Sequence, residues 1–333
     1  MLPGVVLACG VGVVAFGIAS LEERALGHAV IEGLVVAILL GMIIRTVWAL
    51  PAMFEAGVGF TAKEILETAV FLLGASVDLP LLLRAGPALA VGIVLLVVLG
   101  LTFTYWIGRA LGLPSKLAVL VACGNSICGN SAIAAVAPVI RAEKEHVASA
   151  IAFTAILGVG VVVGLPFLVT PLDLSHYQYG VLAGLTVYAV PQVLAAAFPV
   201  SVLSGQVGTL VKLVRVLMLG PVVLFFALRH RHDPEAPVGT QARFEVTRLV
   251  PWFIVGFLVL AGLRSSGAIP ARVAIPLKTL SMWLTVAAMA ALGLGVDLKA
   301  IGKVGRPVML TVSVSLLALV ALSVGLIHLL SIQ

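Results

Sequence analysis

Long apolar runs, separated by short charged or Pro/Gly-rich breaks, recur along the whole chain. Several reach the roughly 20 apolar residues that an α-helix needs to cross a bilayer, and none alternates like the roughly 10-residue strands of outer-membrane barrels. The pattern therefore predicts an all-α polytopic membrane protein with about eleven transmembrane segments. These segments lie near residues 3–20, 28–49, 63–83, 88–110, 117–140, 147–170, 177–199, 207–228, 250–265, 278–298 and 307–330.

One clearly hydrophilic stretch, residues 229–248, interrupts this pattern. It is too short to fold alone, so we interpret it as a loop that joins two parts of a single membrane domain covering residues 1–333. The first apolar run has no positively charged region before it, which favours a first membrane span over a cleaved signal peptide.

Two distant segments carry similar sequences. The stretch LGASVDL at 73–79 recurs as LGLGVDL at 292–298, and a basic residue and a glycine follow each copy at the same distances. The copies are seven segments apart and would point in opposite directions, which predicts an inverted-topology repeat typical of secondary transporters, with repeat regions 28–170 and 175–330. The alternative is chance similarity between apolar helices.

Charges near segment ends give weaker signals. Asp78 and Asp297 end segments three and ten, where we expect them to cap helices or pair with loop cations; binding of a coupling ion is the alternative. A small excess of Lys and Arg in alternate loops predicts an N-terminus inside the cell and a C-terminus outside.

The composition supports the membrane assignment. Hydrophobic residues make up 62% of the chain and charged residues 10%, with a mean hydropathy of +1.23. The net charge of +6 does not indicate nucleic acid, because basic residues of membrane proteins serve mainly as orientation signals in loops. Cys9, Cys123 and Cys128 fit no zinc or redox spacing, and we expect them to be small buried hydrophobes. The sequence has neither a nucleotide-binding loop nor a hydrolase motif, so we predict no ATP-driven transport, no cofactor and no enzyme.

Segment five contains an unusual polar cluster, ACGNSICGNSA at 122–132. Glycine-broken helix at membrane depth is tolerated only where it lines a cavity or packs against protein, so the cluster predicts a discontinuous helix whose second half begins near Ser131. The first turn of that half would form an anion site. The alternative is that small residues let helices pack closely while the amides bond across helices. The candidate ligand-binding residues here are Asn125, Ser126, Gly129, Asn130 and Ser131.

Segments seven and eight contain further polar residues at membrane depth. In segment seven, Tyr188 and Gln192 flank Pro191, which removes a backbone donor and leaves carbonyls free for a cation; a simple proline kink is the alternative. In segment eight, Lys212 and Arg215 lie on one helix face, and Arg215 lies on the order of 13 Å along the helix. We predict that these cations neutralise an anionic substrate, with snorkelling to the interface as the alternative.

Five motifs, in order and spacing, resemble the YeiH-like sulfate exporter family of bacterial inner-membrane proteins. They are GNSICGNSAIAA at 124–135, APVI at 137–140, VKLVRVL at 211–217, PWF at 251–253 and AMAALGL at 288–294. The resemblance implies kinship with cation:proton antiporters, bile-acid sodium symporters and auxin-carrier-like proteins. It implies inverted repeats, a core domain with two broken crossing helices, and a panel domain. The chain departs from the family at Asn125 and Asn130, where members usually carry a small residue or serine, and at Tyr188 and Ala189, where a histidine and an acidic residue are common.

The sequence therefore predicts a secondary active transporter of the bacterial inner membrane that exports a small anion, such as sulfate, sulfite or a sulfonate, by alternating access. Its partners would be a small anionic solute and the lipid bilayer, with a homodimer by analogy and Na⁺ or H⁺ as a coupling ion. The alternatives are a cation:proton antiporter or a sodium-coupled organic-anion symporter of the same fold, and a passive channel or non-transporting sensor. The middles of segments five and seven contain no Asp or Glu, which argues against the antiporter.

Overall fold

The computed structural model describes residues 1–26, 33–48, 50–76, 86–230, 252–296 and 305–330. Within these ranges the chain is helical and has no β-strand, which confirms the all-α prediction. The α-helices are α1 (Leu2–Leu26), α2 (Gly33–Val47), α3 (Ala52–Phe60), α4 (Leu66–Leu73), α5 (Gly86–Ala110), α6 (Ser115–Cys123), α7 (Asn130–Val136), α8 (Lys144–Gly164), α9 (His176–Thr186), α10 (Val190–Ala197), α11 (Val202–Leu217), α12 (Leu219–His230), α13 (Trp252–Ser265), α14 (Ala271–Leu294) and α15 (Arg306–Leu329).

Each predicted segment overlaps a helix or a pair of consecutive helices. Among the described residues, six helical stretches are long and apolar enough to cross a membrane, and shorter apolar helices accompany them. The six are Leu2–Leu21, Gly86–Ala110, Lys144–Leu168, Val202–Arg229, Ala271–Leu294 and Arg306–Leu329. The predicted number of spans stays a prediction. The helix α12 runs to His230, so it includes the first two residues of the predicted hydrophilic loop, and 231–248 lie outside the described residues.

One group of helices consists of α1 to α4, α13 and α14. Helix α14 packs along α2 and also against α1 and α4. Two glycines make the α2–α14 contact this close: a Cβ on Gly41 would collide with the carbonyl oxygen of Ala290, and a Cβ on Gly293 would collide with that of Ile38. Larger residues at these positions would force the two helices apart.

The second group consists of α5 to α11 and α15. Helix α9 packs on α11, and α15 packs on both α5 and α9. Glycines again set the spacing, because a Cβ on Gly180 would lie 2.8 Å from the carbonyl oxygen of Ser204, and one on Gly184 would lie 2.6 Å from that of Gly208. This close approach brings the polar side chains of α11 to the middle of the group.

The described parts of the two similar sequences, residues 73–76 and 292–296, fall in the first group. They lie at the ends of α4 and α14, which pack against each other. Asp78 and Asp297, and the basic residues that follow them, lie outside the described residues. The inverted repeat therefore stays a prediction.

Candidate functional site

The polar cluster of segment five forms the first helix break. Helix α6 ends in a π-helical turn, Gly124–Cys128, and α7 begins at Asn130, one residue before the predicted start. Between them, Gly129 has φ 64° and ψ −127°, a conformation that is essentially restricted to glycine. A Cβ on Gly129 would also lie 3.3 Å from the Cβ of Tyr188, which is a tight contact.

The second break lies directly against the first. Helix α9 stops at Thr186, and the backbone is extended at Val187 (φ −67°, ψ 143°) and Ala189 (φ −112°, ψ 150°) before α10 begins. Pro191 falls in the first turn of α10, where a missing N–H costs no helical hydrogen bond. The side chain of Gln192 fixes this start, since its Oε1 accepts a hydrogen bond of 3.2 Å from the Ala189 N–H. The contact between Gly129 and Tyr188 thus joins two interrupted helices.

The basic residues of α11 bind the carbonyl ends of both interrupted helices. The Lys212 ammonium donates to the carbonyl oxygens of Ile127 at 2.6 Å and Val187 at 2.7 Å. Arg215 is also fully buried, and its guanidinium donates to backbone oxygens of both interrupted helices. Its Nε bonds Ser126 O at 3.2 Å, its Nη2 bonds Asn125 O at 3.1 Å, and its Nη1 bonds Gly184 O at 3.3 Å and Leu185 O.

This arrangement has a simple electrostatic reason. The last carbonyl groups of a helix have no partner within the helix, and the dipole makes that end negative. At membrane depth such groups cannot turn to water, so a buried cation is a favourable partner. Lys212 and Arg215 therefore stabilise two helix ends that would otherwise be unsatisfied inside the protein.

A large cavity opens on the other side of the breaks. It has a volume of about 1200 Å³ and lies between the two helix groups, with walls from α2, α3, α4 and α14 on one side and from both interrupted helices and α8 on the other. Of the residues predicted from the sequence to bind the ligand, the lining contains Gly129, Asn130, Ser131, Tyr188 and Gln192. It does not contain Asn125, Ser126, Lys212 or Arg215.

Uncharged hydrogen-bonding groups dominate the cavity wall at the breaks. Asn130 and Ser131 are exposed to the cavity, and Asn130 accepts the hydroxyl proton of Thr154 through Oδ1 at 2.5 Å, so its amide NH₂ is not used in that bond. Tyr188 is 1% exposed, and its hydroxyl has no partner among the described residues. The exposed donors of Asn130 and Ser131 make this wall suited to a ligand that accepts hydrogen bonds.

Asn125 and Ser126 lie behind the break, against α5. Asn125 donates through Nδ2 to the Thr104 hydroxyl at 3.2 Å, while its Oδ1 and the Ser126 hydroxyl have no partner in the described part of the chain. A Cβ on Gly100 of α5 would lie 2.9 Å from the Ser126 Oγ. These two side chains therefore contact the helix that supports the break, and their backbone oxygens bind Arg215.

Sequence reasoning missed two residues of α8 that shape the wall. Thr154 holds the Asn130 amide, and Gly158 leaves room for Gln192, because a Cβ there would collide with the Gln192 side-chain nitrogen. A threonine and a glycine in an apolar helix are common, so no local pattern singles them out. The charged residues Arg45 and Lys63 also line the cavity, far along the chain from the breaks.

Comparisons with known proteins show which family the chain belongs to. Over residues 3–312 the chain matches the profile of a family described as conserved hypothetical protein 698. A UPF0324 membrane protein of Brucella melitensis biotype 1 is 52% identical over 332 residues, covering 100% of this chain and 92% of the relative. UPF0324 membrane proteins of Bradyrhizobium diazoefficiens (50% identical; 98% and 93% covered) and Bacillus cereus (35% identical; 82% and 79% covered) are also similar. No solved structure matches the chain significantly. The apolar helices and these relatives together show a multi-pass membrane protein.

Proposed function

The chain belongs to the family of conserved hypothetical protein 698, the UPF0324 membrane proteins, and from that premise we propose that it is a secondary transporter of a small anion. This membership agrees with the resemblance to the YeiH-like exporters. The proposal places the protein in the bacterial inner membrane with eleven spans, and names an oxyanion such as sulfate, sulfite or a sulfonate as the exported solute.

The exposed polar groups of the cavity wall at the breaks carry this proposal. They are the amide of Asn130 and the hydroxyl of Ser131, and the start of α10 with Gln192 lies beside them. Every one of these groups can donate a hydrogen bond and none is charged, which suits an oxyanion with several acceptor atoms. Uncharged donors also favour release, since a transporter site must bind weakly enough for the solute to leave.

The position of the cavity supports alternating access. It separates two helix groups that touch mainly where α10 meets α2 and α14 and where α2 meets α8. Each group has its own close glycine contacts, so each can move as a unit while the small interface between them changes. Rocking of one bundle against another around a fixed site is the usual mechanism of such carriers. We propose that the interrupted helices carry the anion against α2 and α14.

The acidic residues of the cavity disfavour the antiporter alternative. Glu55 and Glu67 are the carboxylates that line it among the described residues, and they lie on α3 and α4 rather than on an interrupted helix. Glu67 already accepts a hydrogen bond of 2.7 Å from the Trp252 indole, and Glu55 lies 3.9 Å from Arg45. A cation:proton antiporter would need a titrating carboxylate at the breaks.

Counterflow in proteoliposomes tests the proposal. Vesicles loaded with unlabelled sulfate, sulfite or a small sulfonate should accumulate the labelled anion, and exchange should saturate with concentration. Asn130→Asp keeps the oxygen that accepts from Thr154 but places a negative charge among the donors, so we expect at least a tenfold loss of exchange with an unchanged melting temperature.

Ser115→Asp is the matched control for this experiment. It also introduces a carboxylate at the first residue of a helix, but Ser115 is exposed at the start of α6 and lies outside the cavity lining. Exchange should survive this change. Equal exchange by Asn130→Asp and Ser115→Asp would show that the cavity wall is not the anion site, and absence of exchange for all three anions would refute the proposed solute class.

A further inference from the structure

We call the place where the two helix breaks meet the crossing. The carbonyl oxygens of the helix ends at the crossing have the chemistry of a cation site. Three oxygens from the first break, those of Asn125, Ser126 and Ile127, and three from the second, those of Gly184, Leu185 and Val187, surround the ends of two α11 side chains. In cation-coupled carriers, unwound backbone carbonyls and half-helix C-terminal ends coordinate the coupling Na⁺ or H⁺. Here the same kind of oxygens binds cations that belong to the protein.

The Lys212 ammonium lies between the two breaks. Its distances to the Ile127 and Val187 oxygens, 2.6 and 2.7 Å, are short for hydrogen bonds from nitrogen, and the two oxygens come from different interrupted helices. The residue is fully buried. A single compact charge therefore bridges the two breaks, as a bound metal ion would.

We infer that Lys212 and Arg215 take the place of a coupling cation, so that anion transport proceeds without a free sodium ion or proton at the crossing. The consequence for coupling rests on the proposed function. The tethered-cation site consists of Lys212, Arg215 and the carbonyl oxygens that they bind. Its existence does not rest on the proposed function, because it can be tested on the purified protein without any transported anion. Two side chains fixed to α11 cannot dissociate from the protein, whereas a bound ion can.

Shortening the lysine should turn the tethered site into a binding site. Lys212→Ala removes the ammonium and leaves a space of the length of a lysine side chain between two carbonyl oxygens from different helices. A small cation can enter this space and satisfy the oxygens, whereas choline is too bulky. The variant should therefore acquire a dependence on small cations that the wild type lacks.

The experiment measures the melting temperature of the full chain in detergent at constant ionic strength. Choline chloride is replaced stepwise by sodium chloride or by methylammonium chloride. For Lys212→Ala we expect a low melting temperature in choline and a saturable rise of several degrees with at least one of the small cations, because a ligand that binds only the folded state stabilises it. The wild type should not respond.

Lys116→Ala provides the matched control. Lys116 also donates to a backbone oxygen, that of Arg141 at 2.9 Å, but it is exposed at the start of α6. This variant should melt like the wild type in every salt. A response of Lys212→Ala equal to that of Lys116→Ala would overturn the inference. So would failure to recover folded Lys212→Ala in any of the small cations while Lys212→Met, which fills the space without charge, is recovered.

The wild type keeps the inference testable even if neither variant folds. A saturable stabilisation of wild-type protein by sodium, or counterflow that is lost when choline replaces sodium, would refute it. The two proposals can fail separately. If the melting experiments give the expected result but no anion is exchanged, the tethered-cation site stands and the transport proposal falls. If the wild type exchanges anions only with sodium, the transport proposal stands and the tethered-cation inference falls.

Discussion

Replacing Arg215 with methionine removes the group that joins most of the carbonyl ends at the crossing. The guanidinium donates to four backbone oxygens, two from each interrupted helix, and none of these bonds can be made by a thioether. Methionine keeps an unbranched apolar stem, so the substitution mainly deletes the charge and the donors. The interrupted helices would then be linked by Lys212 and by apolar contacts.

The expected loss of stability follows from those four bonds. Leaving a buried polar group without a partner costs about 1–3 kcal/mol, so four carbonyls set a minimum of about 4 kcal/mol. Larger totals are not expected, because water can enter the vacated space and because the variant no longer buries the charge of Arg215. We therefore expect a loss at the lower end of this range, about 4 kcal/mol, for Arg215→Met.

Thr209→Val on the same helix is the matched control. Thr209 is also fully buried, but its hydroxyl donates only to the Gly205 carbonyl one turn earlier, at 2.7 Å. That carbonyl keeps its helical partner in the variant, so the loss should be about 1 kcal/mol or less. Arg215→Lys should fall between the two, because a compact ammonium keeps the charge but cannot span the same set of oxygens.

The assay is the fraction of detergent-solubilised protein that remains monodisperse after heating, taken as an operational measure because unfolding is rarely reversible. At about 2 °C per kcal/mol for a chain of this size, Arg215→Met should lower the midpoint by about 8 °C and Thr209→Val by about 2 °C or less. Equal midpoints for the two variants would refute the view that Arg215 holds the breaks together.

Three further changes separate the fold from the cavity wall. Gly158→Ala should displace the flexible side chain of Gln192, lowering anion exchange several-fold with little change in melting temperature, whereas Gly160→Ala on the same helix meets open space and should change neither. Tyr188→Phe removes an unpaired buried hydroxyl, so the melting temperature should be unchanged or higher; a large loss of stability would contradict this reading. Gly41→Ala should lower the melting temperature by several degrees, because its Cβ would meet the backbone of α14, which cannot move as a side chain can; a midpoint like that of Gly160→Ala would contradict the proposed close contact.

The sequence identified where the helices are interrupted because local chemistry decides this. Glycine at position 129, polar side chains at membrane depth and a proline at 191 each act on their own backbone, so the two breaks were predicted within a residue or two. The role of Lys212 and Arg215 was harder to predict from the sequence. Their burial could be anticipated from the hydrophobic pattern, but whether they meet a ligand or backbone oxygens depends on which face of α11 crosses which break.

The similar sequences near 73–79 and 292–298 show a second limit of prediction from the sequence. Their described parts, residues 73–76 and 292–296, lie at the ends of α4 and α14, which pack against each other in the group that forms the opposite wall of the cavity. The interrupted helices are other segments, with α8 as the only long helix between them in the described chain. A repeated motif records which helices share a local structure, but it does not tell where the chain must break to form a site.

The placement of charge at the crossing explains how an anion could be attracted without being held tightly. Each helix end carries at most about half an elementary charge, so the C-terminal ends of α6 and α9 contribute at most about −1 and the N-terminal ends of α7 and α10 at most about +1. The helix ends nearly cancel, and Lys212 and Arg215, in their charged forms, therefore leave a positive surplus behind the cavity wall. The surplus acts across the backbone of the breaks, while the exposed cavity-lining groups at the breaks, Asn130 and Ser131, are neutral. Long-range attraction and short-range binding are thus assigned to different residues, so the anion can be drawn into the site and still dissociate when the helix groups move.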